Sequence, residues 1–354
     1  MRPASRRSSL RWRRPVQTYI PRKEPDFGVR VLFFGTPSFA LPSLEALVSS
    51  GRFDLRLVVT QPDRPGGRGR RLVPPPVKGY ALRQGLPVLQ PERLSQVRAA
   101  IEAEPVDAAC VVAFGQKIPR WLLRHPRWGC INVHPSLLPR WRGAAPVAAA
   151  LLAGDTRTGV TTMQLDEGWD TGPILLQKEV EILPGETRGE LEERLAQLGA
   201  GLLLRTLDGL AAGQIAPRPQ PEEGACYAPR VDPAAGELDF TRPAVELARQ
   251  VQAYWPDPAA FTFIEGERVR IARARARVAE GTETTAVRQP GDSEVGPPGS
   301  VVRSDGELWV ATGTGELIIE QLQPAGKRVM AAAEYLRGHP LTPGTQLGRD
   351  PRRS

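Results

Sequence analysis

Asn132 and His134 are two polar residues whose types and spacing suit chemistry on one ligand. They lie at the end of residues 130–133, an apolar run that predicts a buried strand. Side chains two residues apart on a strand point to the same side, so both could face a substrate. Either residue alone could also be a side chain that is satisfied by backbone hydrogen bonds at a strand end. The surrounding motif, GCINVHPSLLPRWRGAAP at residues 129–146, favours a functional site, with Arg140 and Arg142 at its rim.

A carboxylate that could join this pair follows in a later loop. Asp170 lies between Gly168 and Gly172, and glycine permits the tight turns that press a loop into a site. Asp166 is the rival carboxylate in the same loop. Asp170 is favoured because the two glycines bound it closely.

An amide, an imidazole and a carboxylate together suit acyl or formyl transfer to an amine. Such a transfer passes through a tetrahedral oxyanion, which needs a hydrogen-bond donor and a route for the excess proton of the amine. The sequence has no G-x-S-x-G motif and no credible Cys/His pair, so a covalent acyl-enzyme is not favoured. No group of residues has metal-ligand spacing, and we expect no metal site.

Alternating apolar strands and helices predict the scaffold that would hold these residues. The first half reads as a doubly wound α/β domain, without the G-x-G-x-x-G of a dinucleotide site. Its predicted strands are residues 29–35, 55–60, 86–89, 106–114, 130–133, 158–165 and 174–180, and its long final helix is residues 188–210. After a linker at residues 214–235, a helix at 244–254 and several short strands predict a small β-barrel.

Both ends of the chain are expected to be disordered. Residues 1–28 form a basic extension without an apolar core of the secretory type. That extension reads as a transit peptide, as an arm that attracts RNA, or as sequence upstream of a later start near Val29. Residues 340–354 read as a polar tail, and residues 279–298 as a flexible excursion.

Composition places few limits on function. The net charge of +8 and the pI near 9.8 are compatible with a nucleic-acid partner, but abundant arginine also follows from a GC-rich genome. No apolar run approaches the roughly 20 residues of a membrane span. Cys110 and Cys130 lie in apolar strands and read as core thiols, so we expect a reduced, intracellular setting.

Two basic segments could contact phosphates. Residues 61–78 form a long Pro/Gly loop with Arg64, Arg68, Arg70 and Arg71, and its alternative is a solvated surface loop. One predicted strand carries Arg268, Arg270, Arg273, Arg275 and Arg277. A bulge would be needed to bring all five arginines to one face, and the alternative is an edge strand protected by charge.

Residues 129–146, together with MQLDEGWDTGPIL at 163–175, resemble the folate-dependent formyltransferases. Residues 58–78, 36–47 and 322–338 resemble the tRNA loop, the first turn and helix, and the end of the C-terminal barrel in those members that formylate methionyl-tRNA. The resemblance implies a Rossmann-like formyltransferase domain at residues 29–213 and an OB-like, tRNA-binding barrel at residues 236–339. It also implies a one-carbon transferase that moves the formyl group of 10-formyltetrahydrofolate to the amino group of initiator methionyl-tRNA.

The resemblance also implies roles for individual residues. Asn132 would polarise the formyl oxygen, His134 would assist it, and Asp170 would orient or charge His134. The donor pocket would be lined by Phe114, Gly115, Gln116, Ser136, Leu137, Leu138, Pro139 and Asp166. The tRNA contacts would come from Arg64, Arg68, Arg70, Arg71, Arg268, Arg270, Lys327 and Arg328.

A monomer in the bacterial cytoplasm, away from membranes, is the expected setting. One alternative is a related formyltransferase that acts on a sugar nucleotide or a small amine. Another is a non-catalytic RNA-binding protein that keeps the fold. The chain departs from the family at Pro135, at Trp169, where an aliphatic residue is commoner, and at residues 254–258.

Overall fold

The computed structural model of the chain describes residues 28–66, 71–278 and 296–348. One large group of buried apolar side chains comes mainly from residues 29–207, and a second comes from residues 238–347. In these ranges no helix is both long enough and apolar enough to cross a membrane. The basic extension lies outside the described residues, except for Gly28.

Strands and helices alternate through the first half, as the apolar pattern predicts. They are β1 Val29–Gly35, α1 Leu41–Ser50, β2 Phe53–Val59, β3 Arg64–Gly66, β4 Arg71–Val73, α2 Pro76–Arg83, β5 Val88–Leu89, α3 Arg98–Glu102, β6 Ala108–Val112, α4 Arg120–Leu123, β7 Cys130–His134, β8 Arg142–Gly143, α5 Pro146–Ala153, β9 Arg157–Gln164, β10 Ile174–Glu181 and α6 Arg188–Ala211. The strand predicted at 106–114 is shorter because Ala113 turns the chain with a φ of 46°.

A mixed seven-stranded sheet in the order β10-β9-β7-β6-β1-β2-β5 forms the centre of this half. The five strands from β7 to β5 in that order are parallel, β9 runs antiparallel to β7, and β10 runs antiparallel to β9. The chain first winds outward from β1 to β5 and then returns to the other side of β1 with β6. This confirms the doubly wound α/β fold. Ligands of such sheets bind beyond the carboxyl ends of the strands at this change of direction.

Helix α6 covers one face of the sheet and begins at a capping box. The Thr187 backbone N–H donates to the Glu190 carboxylate at 2.8 Å, and the Glu190 backbone N–H donates to the Thr187 hydroxyl at 3.5 Å. Its buried leucines, including Leu191 and Leu195, pack into the first apolar group. The apolar spacing of residues 188–210 therefore predicted this helix to within one residue at its carboxyl end.

The predicted structureless loop at 61–78 is wrong in part. Arg64–Gly66 and Arg71–Val73 pair as an antiparallel hairpin, and helix α2 already begins at Pro76. Pro-rich sequence hid both elements, because proline at the first turn of a helix is compatible with the helix but reads as a loop signal. Residues 67–70, with Arg68 and Arg70, lie outside the described residues.

Residues 214–235 connect the two halves but do not form a free linker. Ile174 and Arg218 exchange backbone hydrogen bonds at 2.8 Å in both directions. Strand β11, Tyr227–Ala228, pairs with β8 beside the site motif. These contacts use backbone groups, so the polar side chains of the segment gave no sign of them.

The second half is built from one helix, an antiparallel sheet and a final short helix. Its elements are α7 Ala244–Tyr254, β12 Ala260–Ile264, β13 Glu267–Arg277, β14 Val301–Arg303, β15 Leu308–Ala311, β16 Glu316–Pro324, β17 Met330–Ala331 and α8 Ala332–Gly338. The strand order is β12-β13-β16-β15-β14, with β17 also paired to β16. The sheet curls into a half-barrel around the second apolar group, in agreement with the predicted small barrel domain. Much of the predicted excursion at 279–298 lies outside the described residues.

Strand β13 contains the bulge that its arginine spacing requires. Its pairing with β16 is irregular between Ile271 and Ala274. Ile271 and Ala272 are both buried. The residues that point inward are therefore odd-numbered before this point and even-numbered after it. All five arginines of the strand consequently lie on the side that is more accessible to solvent.

The prediction of a disordered tail from residue 340 is wrong for its described part. Leu341 and Leu347 are buried in the second apolar group. Val301 and Thr345, and Gly344 and Val301, share backbone hydrogen bonds at 2.8 Å. Two isolated leucines are too few for a periodic pattern, so only the tertiary structure shows that this segment packs.

Candidate active site

Strand β7 brings Asn132 and His134 to one side of the sheet. Ile131 and Val133 point into the first apolar group, whereas Cys130 belongs to the group on the opposite face. Asn132 and His134 therefore share the face of Cys130, as their spacing predicts. Asn132 is half-buried, and its side-chain amide has no hydrogen-bond partner among the described residues. The amide is thus available to a ligand.

His134 is only 4% exposed and lies between two oxygen acceptors. Its Nε2 is 2.9 Å from the carbonyl oxygen of Trp141, and its Nδ1 is 3.7 Å from Oδ2 of Asp170. A carbonyl oxygen only accepts, so Nε2 must carry a hydrogen. Nδ1 then faces the Asp170 carboxylate across a distance that is too long for a direct hydrogen bond.

Asp170 is held in place mainly through backbone groups. Its Oδ2 accepts a hydrogen bond from the Gly143 N–H at 2.9 Å, and its own backbone takes a φ of 54°. A side chain at Gly143 would collide with Tyr227 and with the carbonyl of Ala228, so glycine is required at the position that donates to Asp170. The motif at 129–146 therefore supplies both His134 and the anchor of its carboxylate partner.

Gln220 is a site residue that sequence reasoning missed. Its Nε2 donates to the carbonyl oxygens of Asp170 at 2.8 Å and of Gly172 at 2.7 Å. Its Oε1 accepts from Arg142 Nε at 3.0 Å. Gln220 thereby ties the Asp170 loop to the site motif. It lies in the segment predicted to be a linker, where no pattern marks a single glutamine.

Asp166 does not compete with Asp170 for the position beside His134. It is exposed, and its Oδ1 accepts hydrogen bonds from the Gly168 N–H at 3.0 Å and from the Thr171 hydroxyl at 2.8 Å. Asp166 therefore stiffens the loop that carries Asp170. Because Asp166 is exposed, a ligand can reach it, and its expected contact with the formyl donor stays a prediction.

The turn at residues 136–139 acts largely as a scaffold. Ser136 is fully buried and donates to the Arg140 carbonyl at 2.7 Å. Leu138 is 3% exposed, packs with Met163 and donates its backbone N–H to Thr161. The side chains of Ser136 and Leu138 thus face the protein, and their expected contact with the donor stays a prediction. Leu137 and Pro139 are half-buried.

The loop after β6 follows the strand that pairs with β7. The carbonyl oxygen of Phe114 accepts from Thr36 Oγ1 at 3.1 Å and from Gln61 Nε2 at 2.9 Å, which fixes the loop to β1 and β2. Gly115 is exposed with a φ of 81°. Gln116 is half-buried and donates to the Pro91 carbonyl at 3.1 Å. Gly115 is thus the exposed residue among these three, and the donor contacts expected of Phe114, Gly115 and Gln116 stay a prediction.

The two motif arginines are neutralised by carboxylates. Arg140 makes two hydrogen bonds to Asp155, at 3.0 and 2.7 Å, and these raise the pKa of the Arg140 guanidinium above its ordinary value. Arg142 contacts Gln220 and, at 3.4 Å, Glu222. Both arginines therefore make contacts within the protein, and their role at the rim of the site stays a prediction.

Cys110 and Cys130 are buried in the core and do not provide a thiolate nucleophile. Burial raises the pKa of the Cys130 thiol to about 12 and raises that of Cys110 further. Both thiols are neutral at physiological pH and behave as the predicted core residues. Among the described residues, no group of three or more His, Cys, Asp and Glu side chains has a geometry that could hold a metal ion.

The predicted basic surfaces differ in how many charges they leave available. Arg64 donates to Gln61 at 2.8 Å at the base of the hairpin, and Arg71 is exposed. Arg268 lies 3.7 Å from the centre of the Phe261 ring, and Arg270 donates to Gln323 at 3.1 Å, so neither is paired with a carboxylate among the described residues.

The other arginines of β13 are paired within the protein. Arg273, Arg275 and Arg277 form ion pairs with glutamates at 2.6 to 3.1 Å. A continuous ribbon of five phosphate-binding arginines is therefore not present. Lys327 is exposed, whereas Arg328 pairs with Glu334 at 2.5 Å.

Comparison with known proteins gives matches along most of the chain. Residues 29–207 match the family described as formyl transferase, and residues 230–340 match its C-terminal domain. A methionyl-tRNA formyltransferase of Halorhodospira halophila is 49% identical over 316 residues, which cover 89% of this chain and 98% of the relative. One from Myxococcus xanthus is 46% identical over 319 residues, which cover 90% and 97%. A solved structure of HypX from Aquifex aeolicus in complex with tetrahydrofolic acid shares the fold, with a TM-score of 0.59 at 16% identity over 87% of this chain and 47% of that chain.

Proposed function

We infer that this chain, which belongs to the formyl transferase family, transfers a formyl group to the amino group of methionyl-tRNA. The observation that carries the inference is the cluster of Asn132, His134 and Asp170 at the carboxyl end of β7, in a chain nearly half identical to methionyl-tRNA formyltransferases over most of its length. The product is the N-formylmethionyl-tRNA that is used to start translation.

The reaction joins the amine nitrogen to the formyl carbon and breaks the bond between that carbon and its former nitrogen. Asn132 donates its free amide N–H to the formyl oxygen as negative charge develops there. His134 assists from Nδ1, because its Nε2 hydrogen is already used by the Trp141 carbonyl. The amine loses one proton, and the departing nitrogen gains one.

Asp170 is placed to accept the proton that the amine loses. Its carboxylate lies 3.7 Å from Nδ1 of His134, and a hydrogen bond from the Gly143 N–H keeps it in position. When the amine attacks, Asp170 accepts its proton directly or through water and returns it to the departing nitrogen. The buried thiols and the missing acyl-enzyme motif support direct transfer without a covalent intermediate.

The formyl donor is 10-formyltetrahydrofolate, which supplies an activated formyl group on N10. Folate is the carrier used by the family, and the HypX neighbour is described with tetrahydrofolic acid bound. The donor lies between the loop of Phe114, Gly115 and Gln116 and the loop of Asp166. Leu137 and Pro139 bound the site from the side of the motif turn.

Initiator methionyl-tRNA is the acceptor, and the basic surfaces guide it. The hairpin loop contacts the acceptor end through Arg64, Arg68, Arg70 and Arg71. The half-barrel contacts the tRNA backbone through Arg268, Arg270, Lys327 and Arg328. The catalytic part spans residues 29–213 and the tRNA-binding part residues 236–339. The protein works as a monomer in the cytoplasm of a bacterium, where charged tRNA is present.

The main competing function is formyl transfer to a sugar nucleotide or another small amine. A small acceptor has no use for an arginine-rich hairpin or for a second domain with exposed cations. A protein that only binds RNA has no use for an unpaired Asn132 amide beside His134 and Asp170. The specific architecture therefore favours methionyl-tRNA over both alternatives.

A single assay separates these functions. Purified protein is mixed with labelled 10-formyltetrahydrofolate and with charged initiator tRNA, free methionine or a panel of amino sugars. We expect rapid labelling of methionyl-tRNA and at most slow labelling of free amines. Equal rates with free amines would overturn the tRNA assignment, and the absence of any transfer would overturn the enzymatic one.

A further inference from the structure

Trp169 is an unusually exposed aromatic residue for a position next to a catalytic carboxylate. It is 65% exposed, whereas its neighbour Asp170 is half-buried. Transferring so large an apolar ring from water into a contact is favourable, so an exposed tryptophan at the mouth of a site suits a ligand. Scattered exposed apolar residues are common, and the argument needs further features of this position.

The loop that presents Trp169 is rigid. Asp166 holds the Gly168 N–H and the Thr171 hydroxyl on either side of Trp169. Gly172 has the carbonyl of Gln164 1.9 Å from the place of a Cβ, so the loop passes tightly over β9. A ring on such a loop is held in place before a ligand arrives, which lowers the entropy cost of binding.

A cation from the opposite loop lies over this ring. The Nζ of Lys117 is 6.0 Å from the centre of the Trp169 ring. Lys117 follows Gln116 directly, so the pair joins the two loops that are proposed to line the donor pocket. Lys117 is exposed and has no carboxylate partner among the described residues, whereas nearby Arg120 is paired with Glu167 at 2.6 Å. This edge of the pocket therefore combines a flat aromatic face with an available positive charge.

We propose that Trp169 and Lys117 form a subsite for the aminobenzoyl-glutamate part of the folate donor, a proposal that rests on the proposed function. The aminobenzoyl ring stacks on the indole of Trp169, and the glutamate carboxylates pair with the ammonium group of Lys117. The subsite extends the donor pocket outward from the catalytic residues, so the chain gains donor affinity without altering Asn132, His134 or Asp170.

Binding of unreactive donor analogues tests the two halves of this subsite separately. Tetrahydrofolate carries both the ring and the glutamate, and the methyl amide of tetrahydropteroate carries the ring but no carboxylate. By calorimetry, Trp169→Leu is expected to weaken both analogues about threefold to tenfold, the range of one aromatic stacking contact. Lys117→Met is expected to weaken only tetrahydrofolate, about twofold to fivefold, and added salt should reduce this difference.

Two distant exposed residues serve as matched controls. Leu183 is 52% exposed, and Leu183→Ala removes an exposed apolar side chain away from the site. Lys178→Met removes one exposed positive charge from β10. Neither control should change the affinity for either analogue. Thermal unfolding of all four variants confirms that they are folded.

The outcomes distinguish this proposal from the proposed function. Unchanged affinity of Trp169→Leu for both analogues overturns the stacking assignment, even when the wild type formylates methionyl-tRNA. A rise in KM for methionyl-tRNA with donor affinity unchanged means that Trp169 contacts RNA, and this also overturns it. A wild type that binds tetrahydrofolate but does not formylate methionyl-tRNA contradicts the proposed function alone. A wild type that binds no folate contradicts both.

Discussion

At the scale of residues, the distinctive feature is a buried histidine between two acceptors. The Trp141 carbonyl fixes one ring nitrogen as a donor, and the other ring nitrogen lies 3.7 Å from the Asp170 carboxylate. The side-chain amide of Asn132 adds a neutral donor, which has no hydrogen-bond partner among the described residues. His134 and Asp170 are therefore oriented before any ligand binds, which suits the proposed electrostatic stabilisation of a transition state.

The Asp170 carboxylate can be tested with little change of shape. Asp170→Asn keeps an oxygen that can accept from the Gly143 N–H, so the loop should hold its position. The variant loses the negative charge and the proton acceptor, and we expect kcat to fall about 100-fold or more while both KM values change little. Steady-state kinetics with labelled donor provide the measurement.

The matched control is Asp208→Asn on helix α6, which removes a surface carboxylate that pairs with Arg52. It should retain wild-type kcat, since exposed ion pairs contribute little. A loss of less than about threefold for Asp170→Asn would contradict its role in proton transfer.

At the scale of elements, the hairpin at β3 and β4 is anchored more firmly than its sequence suggests. Lys78 of helix α2 contacts both carboxylate oxygens of Asp63, at 2.8 and 2.7 Å. Gln90 donates to the same Asp63 and to the Gln61 carbonyl. The base of the hairpin is therefore tied to α2 and to the strand ends beside the candidate site.

Breaking this anchor should affect the tRNA substrate selectively. Lys78→Met removes the ammonium group that contacts both oxygens of the partly buried Asp63 carboxylate, so the stem should loosen and misplace Arg64 and Arg71. We expect KM for methionyl-tRNA to rise about threefold or more, with KM for the folate donor unchanged. Lys78→Arg should restore part of the loss because it keeps the charge.

Arg83→Met provides the control, because it removes one positive charge from the same helix without touching Asp63. An equal rise in KM for methionyl-tRNA in this control would show that total charge, and not the anchor, is responsible. A rise in KM for the donor alone would also contradict the positioning role.

At the scale of the whole molecule, the two parts are joined by specific contacts as well as by the chain. Helix α7 gives Leu247 and Val251 to the second apolar group, whereas Ala253 and Tyr254 pack in the first. Arg273 of β13 reaches back to the Gly185 carbonyl at 2.8 Å and to Glu190 of α6 at 2.6 Å. The half-barrel is thereby held at a defined position relative to helix α6.

The link between Arg273 and Glu190 should depend on pH. Burial acts to raise the pKa of Glu190, but hydrogen bonds from Thr187 and the charge of Arg273 outweigh it, and the pKa lies below its ordinary value of 4.5. A lowered carboxylate pKa gives stability that is present above the ordinary pKa and is lost as pH falls through the folded value. Arg273→Met should therefore lower the free energy of unfolding by about 0.5 to 1 kcal/mol at pH 7, since Glu190 is half-exposed, and by less at pH 3.

Thermal unfolding at the two pH values measures this difference. Arg157→Met, which breaks an exposed pair with Glu179 within the first sheet, is the matched control for a lost surface charge pair. A destabilisation of Arg273→Met that is the same at pH 7 and pH 3 would show that packing of the arginine stem, not its charge, is the cause.

The sequence by itself determined the local elements and the identity of the catalytic candidates. Apolar runs and helical spacing are local properties, so β1, α6 and α7 were predicted with ends close to those observed. Because Asn132 and His134 are two residues apart, the sequence predicted that both lie on the same face of β7. The arginines of β13 are even-numbered at 268 and 270 but odd-numbered from 273 to 277. A bulge was needed to place all of them on one face, and the structure contains one.

Only the tertiary structure decided which groups are free and which are engaged. Asp166 and Asp170 occur in one loop with similar surroundings in the sequence, yet hydrogen bonds from the Gly143 N–H and from the Gln220 side-chain amide place Asp170 beside His134. Arg268 and Arg273 have similar neighbours along the strand. Arg268 nevertheless lies over the ring of Phe261, whereas Arg273 pairs with Glu190, 83 residues away in the sequence. Such pairings depend on distances between segments that are remote in sequence, and no local periodicity encodes those distances.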